Sequence, residues 1–591
     1  MSENQTVTVA SPATVPEQLP PSGDRRTLLR LAGAVIVLCA CLFVIRLTSP
    51  PDLIGQDQER PASYALDAVK NGNWLCQRDF LDDITSKPPL YTWLVAGLTL
   101  INGRISLLAL YLPGALAACG TALLVLLAGR KLFGIRAAFF ASLTLLLTSA
   151  GFKEFGLART DGVFAFWVTG SALLAFRAWN RGGGWMWFWL AAAVATLTKG
   201  PLGLVLGAGG LLACRWERKS GVPLPLRGSH WAGLGIFLLL CGGWFLLAWW
   251  QQGQAVVDKM IGKELVGHAV ANRHGNLPGT LFYQPPLYFL ARAAPWSLFA
   301  YLGFWRVWKT PAANPAERRF ERFLFCWFFA GLLIFCIAPQ QRGDHLWPLL
   351  PAGALLAGRE LSRLTARLRP ATVQLVTAVL AVLFVAGFVG YYFGVRPRSL
   401  SVKQTVALRQ LARQAETEFG SEFPLTHVDD RMTFQIYLNT LRPAVSPERA
   451  AALLRGPEAA LVAVDDLKKL EVARQPGDPP FFILLPRPGT LEQSASRIIG
   501  NRQKWSGAEP FAFCFGPLQV RASGAQLLGA SEKEFCFKTL PGPGQITFTN
   551  ESSQPRIIRL RLVGQDRPFE QKHTLGGNES WQVDCAAAGT R

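Results

Sequence analysis

The sequence predicts a mainly α-helical domain that crosses a membrane many times, followed by a soluble C-terminal region of α/β and β-sandwich character. Three observations predict it: half of the 591 residues are hydrophobic and only 17% charged, apolar runs long enough for a bilayer recur to about residue 394, and none follows about residue 400. A span needs about 20 mostly apolar residues, because the hydrocarbon core is about 30 Å thick and a helix rises about 1.5 Å per residue. A soluble chain of this length would not carry so many.

Residues 1–25, rich in Ser, Thr, Pro and acidic or amide side chains, read as a disordered cytoplasmic tail. The run Leu29 to Leu47 follows Arg25 and Arg26, and no small-residue cleavage site precedes Arg46 and Pro50, so it reads as a retained anchor rather than a secretory signal. Further candidate spans cover residues 105–128, 136–153, 162–178, 185–198, 200–214, 230–250, 286–305, 320–338, 345–358 and 371–394. They total about 11, with up to about 13 spans allowed by length. The run 185–214 is too long for one crossing and basic at both flanks, so a hairpin turning at Lys199, Gly200 and Pro201 is expected. Pro88 to Ile101 is short, and is expected to lie in the interface or to re-enter.

A net charge of +21 would point to nucleic acid in a soluble protein. Here the basic residues fall in every second connection: Arg130, Lys131 and Arg136; Arg177 and Arg181; Arg215, Arg218 and Lys219; Arg306 to Arg322; Arg359 to Arg369. Under the positive-inside rule those loops face the cytoplasm, and the alternate loops and everything after about residue 395 face the other side. The 11 cysteines have no paired metal-binding spacing, and most lie in apolar runs. Cys514, Cys536 and Cys585 lie where a disulfide is permitted, without a pairing the sequence can choose.

The division expected is a transmembrane domain over 26–396 with a large outer loop at 49–104, an α/β region over 397–500 and a β-sandwich-like region over 501–591. The helical pattern Val406, Leu408, Leu411, Ala412 and the apolar runs Ala459 to Val464 and Phe481 to Leu485 support the first soluble region. Short alternating runs at Gln545 to Phe548, Ile557 to Leu562 and Trp581 to Val583, separated by Gly, Pro, Asn and Ser, support the second.

Chemistry concentrates in the outer loops. The loop 49–104 holds Asp52, Asp57, Glu59, Arg60, Asp67, Asp79, Asp82, Asp83 and Lys87; further charges stand at Arg159 and Asp161, at Lys199, and at Arg342, Asp344 and His345. Transfer from a lipid phosphate needs this mixture. Cations stabilise charge developing on the leaving phosphate, and a carboxylate takes the proton of the incoming hydroxyl. Arg offers forked donors to a phosphate and Lys a point charge. The bland alternatives are a solvated loop, interfacial anchors and, for Asp161, the cap of the span that follows.

The ordered series Asp57-Gln58-Glu59-Arg60, Tyr64-Ala65, Gly72-Asn73-Trp74, Lys87-Pro88-Pro89-Leu90, Gly129 to Gly134, Arg159-Thr160-Asp161, Leu197 to Pro201, Ala294-Pro295-Trp296 and Arg342 to Pro351 resembles the membrane glycosyltransferases that include bacterial lipid A aminoarabinose transferases and dolichyl-phosphate-mannose protein mannosyltransferases. It covers most of residues 29–365. The resemblance implies a C-type glycosyltransferase fold in a bacterial plasma membrane, with the N-terminus cytoplasmic and the C-terminal region periplasmic. It also implies transfer of a sugar from a polyprenyl-phosphate donor to a hydroxyl of a lipid, glycan or protein, with inversion, and no nucleic-acid partner. Asp57 resembles the catalytic acidic position and Asp161 the second acidic site. Arg60 and Lys87 resemble phosphate contacts, assisted by Lys199 and Arg342, with Gln58, Tyr64, Arg159 and His345 as further substrate contacts. Gln58 and Ser86 stand where the family usually has Glu. Fewer carboxylates weaken the case for a divalent cation, which wants several oxygen ligands, and no metal ligand or required cofactor is assigned.

Two rival readings remain at this point. A lipid or sugar transporter or flippase would place ionisable groups near the bilayer midplane and repeat its broken helices in two halves, and neither pattern is evident. A membrane-anchored assembly protein would keep its function in the soluble tail.

Overall fold

A computed structural model describes residues 22–591 except 54, 220–225, 268–277, 340–341, 420–424, 429–430, 442–443, 459, 466–468, 471–481, 485–495, 502–510, 516–517, 531–532, 540–543, 551, 564–568 and 586–591. The expected tail up to residue 21 lies outside the described residues, as do Phe481 and Leu485 at the ends of one expected strand.

The helical part begins with α1 (Ser22–Thr48), α2 (Gln56–Asn71), α3 (Leu90–Asn102), α4 (Leu107–Leu132), α5 (Ile135–Leu146), α6 (Ser149–Lys153), α7 (Asp161–Arg181), α8 (Trp185–Lys199) and α9 (Leu202–Ala208). α1 presents Leu29, Ile36, Val37 and Val44 outward, as a lipid-facing helix must. α4, α5 and α7 pack with the helices Pro315–Ile337 and Leu350–Leu364 around Trp179, Phe320, Phe323, Trp327 and Phe328. Between them run small side chains such as Ala118, Ala122, Ala141, Ala165 and Ala172, which let helix backbones approach where no hydrophobic effect drives association.

Among the described residues six helices are long and apolar enough to cross a membrane: Arg25–Thr48, Leu107–Leu132, Asp161–Arg181, Trp231–Gln252, Pro315–Ile337 and Pro370–Arg398. A seventh is obtained if the bent pair Ile135–Leu146 and Ser149–Gly156 counts as one. The other apolar runs are shorter or interrupted, so uninterrupted crossings are fewer than the expected 11 to 13. The run 136–153 bends by 61°, where Thr148 Oγ1 accepts from Gly151 N–H at 2.9 Å and starts a new helix. The run 286–305 divides into Gln284–Arg292 and Ser297–Lys309 around Pro295. The run 345–358 enters its α-helix at Leu350, after a 3₁₀ segment Gly343–Leu349.

The expected hairpin is present. α8 ends at Gly200, whose φ of +88° no side chain adopts comfortably, and Pro201 precedes α9. α8 and α9 then pack so closely that a Cβ on Gly203 would stand 2.7 Å from the Ala195 backbone. α3 is the short apolar helix expected over 88–101 and packs against α2.

After the helix Leu400–Phe419 come β1 (Leu425–Val428), β2 (Leu461–Val464), β3 (Phe482–Leu484) and β4 (Arg497–Gly500), in one sheet of order β1-β2-β4-β3 with β1 and β2 parallel. β5 (Phe511–Phe515), β6 (Leu518–Ser523), β7 (Ala525–Ala530), β8 (Glu534–Thr539), β9 (Gln545–Asn550), β10 (Arg556–Val563), β11 (Phe569–Leu575) and β12 (Ser580–Asp584) form two sheets, ordered β11-β10-β8-β7 and β12-β9-β6-β5. Phe535, Phe537, Phe548 and Leu560 fill the space between them, each at an alternate strand position. Cys536 and Cys585 are free thiols, and the Cys514 side chain lies outside the described residues.

The basic loops expected on one side do meet each other at one end of the bundle. Arg136 Nη2 donates to Thr365 O at 2.6 Å, Arg322 pairs with Glu217 at 2.7 Å, Arg306 with Glu360, and Arg359 with Glu321. Glu217, Glu321 and Glu360 are fully buried. Removing one partner of such a pair leaves a charge stranded in a medium that cannot solvate it. Arg359→Met is expected to strip Glu321 of its cation and lower stability by about 3–5 kcal/mol, read as a fall in the unfolding midpoint of the detergent-purified protein.

Candidate active site

The other end of the bundle carries the candidate site. Its frame is the first turn of α2. Gly55 precedes it with φ +129°, and its N–H donates to Glu59 Oε2 at 3.1 Å. Gln58 donates from Nε2 to Asp52 O at 2.6 Å and accepts at Oε1 from Ala158 N–H at 3.2 Å. This amide joins the first loop to the chain just ahead of Arg159.

Asp57 consequently faces two guanidinium groups. Its Oδ2 accepts from Arg159 Nη2 at 3.1 Å and pairs with Arg342 Nη1 at 2.7 Å. Arg159 Nη1 continues to Asp344 Oδ2 at 2.9 Å, and Lys153 and Arg292 each stand 3.8 Å from Asp344 Oδ1. Burial raises the Asp344 carboxyl, but Lys153, Arg159 and Arg292 outweigh it and hold it below the usual carboxylate range.

Asp161, two residues after Arg159, opens α7 and accepts from Lys199 Nζ at the hairpin turn. Lys87 and His345 lie within electrostatic reach of both. Burial and then Lys199 push His345 down to about 3, so its imidazole is neutral at pH 7. Lys87 is half-buried at the end of the first outer loop, where Thr85 Oγ1 donates to its carbonyl at 2.9 Å. Burial and then Lys199 lower the affinity of its amine for the proton. Among the described residues no carboxylate stands within ion-pair distance of its ammonium. Glu154 lies buried behind this cluster, and a Cβ on Gly162 would come 2.9 Å from its Oε2.

The sequence-derived set divides. Asp57, Arg159, Arg342, Asp161, Lys199, His345 and Lys87 come together from four separate connections. Arg60 stands 3.6 Å from Asp79 and 3.7 Å from Asp83, and Asp83 also holds Lys259 at 2.9 Å. Lys259 keeps the Asp83 carboxyl low, whereas burial raises Asp79. Tyr64 belongs to this group as well, buried and within reach of Asp79, Arg60 and Asp83. Gln58 spends its amide on backbone groups of Asp52 and Ala158. Lys153, Glu154 and Arg292 were not singled out beforehand. Lys153 and Arg292 were hidden inside expected spans, and an ionisable residue within an apolar run was the signal that could have found them.

The donor set does not fit a divalent cation. Asp57 faces two guanidiniums and Asp161 an ammonium, and no group of three or more His, Cys, Asp or Glu among the described residues could hold a metal ion. The arrangement suits an anion. A separate crevice bordered by Thr148, Phe289, Ala293 and Trp296 lies beside the kink between α5 and α6.

Residues 86–243 match the family profile of dolichyl-phosphate-mannose-protein mannosyltransferase. Among solved structures, ArnT from Cupriavidus metallidurans bound to undecaprenyl phosphate is 17% identical with a TM-score of 0.61, over 82% of this chain and 99% of that one. The apo state of the same protein is 18% identical with a TM-score of 0.60, over 83% and 100%. An uncharacterized protein of Aquifex aeolicus (strain VF5) is 29% identical over 312 residues, 50% of this chain and 57% of the relative, so the match spans about half of that relative's length. The fold is thus that of the C-type membrane glycosyltransferases.

Because Asp344 titrates lower in the folded chain than in the unfolded one, its ion pairs stabilise fully above the unfolded value of about 4, and that stability is lost as pH falls through the folded value. Asp344→Asn is expected to lower the unfolding midpoint at pH 7, and the difference from wild type should close below about pH 4. A difference constant from pH 7 to pH 3 would contradict this assignment.

Proposed function

We propose that this protein is a glycosyltransferase that moves a sugar from a polyprenyl-phosphate donor to an acceptor hydroxyl. The observation that carries the reading is Lys87: a half-buried ammonium without a carboxylate partner among the described residues, set against the Lys199–Asp161 pair and beside the Asp57–Arg342 pair. Cations outnumber carboxylates in this cluster. A cation kept out of bulk water without a counter-charge is costly, and an anionic ligand relieves the cost.

In the reaction the bond from the anomeric carbon to a phosphate oxygen breaks with its electron pair on the phosphate, and a bond forms from the acceptor oxygen to that carbon. Lys87, Lys199 and Arg342 stabilise the charge gained by the departing phosphate. Asp57 takes the acceptor's proton. Attack from the face opposite the phosphate inverts the anomeric centre. Arg159, bonded to both Asp57 and Asp344, keeps the base oriented toward the acceptor side. Arg60, which stands between Asp79 and Asp83, is the further cation of the first outer loop available to the donor phosphate.

The basic loops at the far end of the bundle support a site facing away from the cytoplasm, in a bacterial plasma membrane with the C-terminal domain on the same side as the site. The acceptor is a lipid, glycan or protein of the cell envelope.

Lys87→Ala is expected to weaken binding of undecaprenyl phosphate, used as the probe, by about tenfold or more, measured by tryptophan fluorescence in nanodiscs. Asp57→Asn should retain that binding yet fail to restore the envelope glycan or lipid lost on deleting the gene, scored by mass spectrometry. Full restoration by an equally abundant Asp57→Asn variant would remove the catalytic role, and undiminished binding by Lys87→Ala would remove the phosphate site.

A further inference from the structure

The residue adjoining Gln58 has a partner outside the membrane domain. Glu59 is buried and its two oxygens face opposite ways: Oε2 accepts from Gly55 N–H at 3.1 Å, while Oε1 accepts from the Thr433 hydroxyl at 2.5 Å and from Thr433 N–H at 3.3 Å. The first bond closes the opening turn of α2 on itself, a carboxylate reaching back to the amide that precedes the helix. The second ties that turn to the helix Met432–Tyr437 of the C-terminal domain. Thr433 is fully buried, and its neighbours Met432 and Ile436 share one apolar core with Leu53, Ala62, Ala65 and Leu66 around α2.

The same junction is pinned at further points. Arg104 pairs with Glu416 at 2.9 Å and donates to Tyr437 O at 3.0 Å; Ile105 N–H donates to Asn439 Oδ1 at 2.9 Å; Ala444 N–H donates to Phe80 O at 3.3 Å; and Arg396 pairs with Asp52. The contacts of Glu416, Tyr437, Asn439 and Ala444 join the C-terminal domain to Phe80, Arg104 and Ile105, in or beside the loop that carries Asp57, while Arg396 ties the end of the helix Pro370–Arg398 to Asp52 of that loop.

We infer that the C-terminal domain positions the reaction's base, with Glu59 and Thr433 as the positioning residues. Asp57 lies in the turn that Glu59 closes, two residues before it, and its carboxylate must meet Arg159 and Arg342 from that turn. A turn free to open would let Asp57 leave them, and a displacement of about 1 Å costs on the order of a hundredfold in rate. A buried carboxylate with donors on both oxygens holds the turn shut. The inference rests on the glycosyltransferase reading for its functional consequence, while its structural half stands without it.

Thr433→Val deletes the hydroxyl and keeps the backbone donor. In the full-length protein in lipid nanodiscs, amide exchange at residues 55–60 is expected to quicken about tenfold, with exchange in the β-sandwich at its wild-type rate. Transfer, scored by restoration of the envelope product, should fall about tenfold, and Thr433→Ser should recover both. Unchanged exchange at 55–60, or a Thr433→Val variant as active as wild type, overturns the inference. Should Thr433→Val quicken exchange throughout the domain, Glu59→Gln decides, since a local effect at 55–60 supports the clamp and none refutes it. Failure of the catalytic reading shows separately, as an active Asp57→Asn variant whose exchange at 55–60 is normal.

Discussion

The ion pairs that run from Arg342 to Asp57, on to Arg159 and then to Asp344 hold one end of the helical bundle together. They join connections that lie more than a hundred residues apart in the chain. No one of these charges would be tolerated at the edge of an apolar bundle alone, because water is partly excluded and the desolvation cost exceeds what a single weak contact returns. Alternating signs solve this locally, each carboxylate lying between cations. The remaining features serve the same frame: the Gln58 amide sets the distance between the first two loops, and the Gly200–Pro201 turn delivers Lys199 to Asp161.

The two ends of the bundle are both rich in charge, yet they are built differently. At the far end Glu217, Glu321 and Glu360 are wholly buried, and each meets at least one arginine. That network is closed. At the end that holds Asp57 the carboxylates of Asp57 and Asp344 are partly open to solvent and the cations are in excess, with Lys87 left over. A closed network specifies how helices dock, whereas an open one with surplus charge can accept a ligand of opposite sign.

The C-terminal domain is bonded to the helical bundle at several points. Its short helix Met432–Tyr437 completes the apolar core under the loop that carries Asp57, and its Thr433 completes a hydrogen-bonded turn there. The two sandwich sheets, by contrast, bury their own core of Phe535, Phe537 and Phe548. The helix Met432–Tyr437 therefore shares its core with the loop that carries Asp57.

Much of this was legible in the chain alone, because length and hydropathy dictate what a bilayer accepts and because basic residues in alternate connections tell one end of a bundle from the other. The hairpin at Lys199, the amphiphilic outer loop, the sandwich strands and the gathering of Asp57, Lys87, Asp161 and Lys199 all follow from that reasoning. Local motif could not say which way a side chain leaves its helix. Arg60 lies one turn from Asp57 and still turns to Asp79 and Asp83, since those carboxylates occupy its side of α2. Nor could hydropathy foresee that Thr148 would cap a new helix inside an apolar run and so bring Lys153 and Glu154 to the site. Composition determines which segments enter the membrane, because the cost of burying polar groups is additive along the chain; the pairing of charges is decided only when the helices pack, because an ion pair depends on a separation of a few ångströms that no single segment contains.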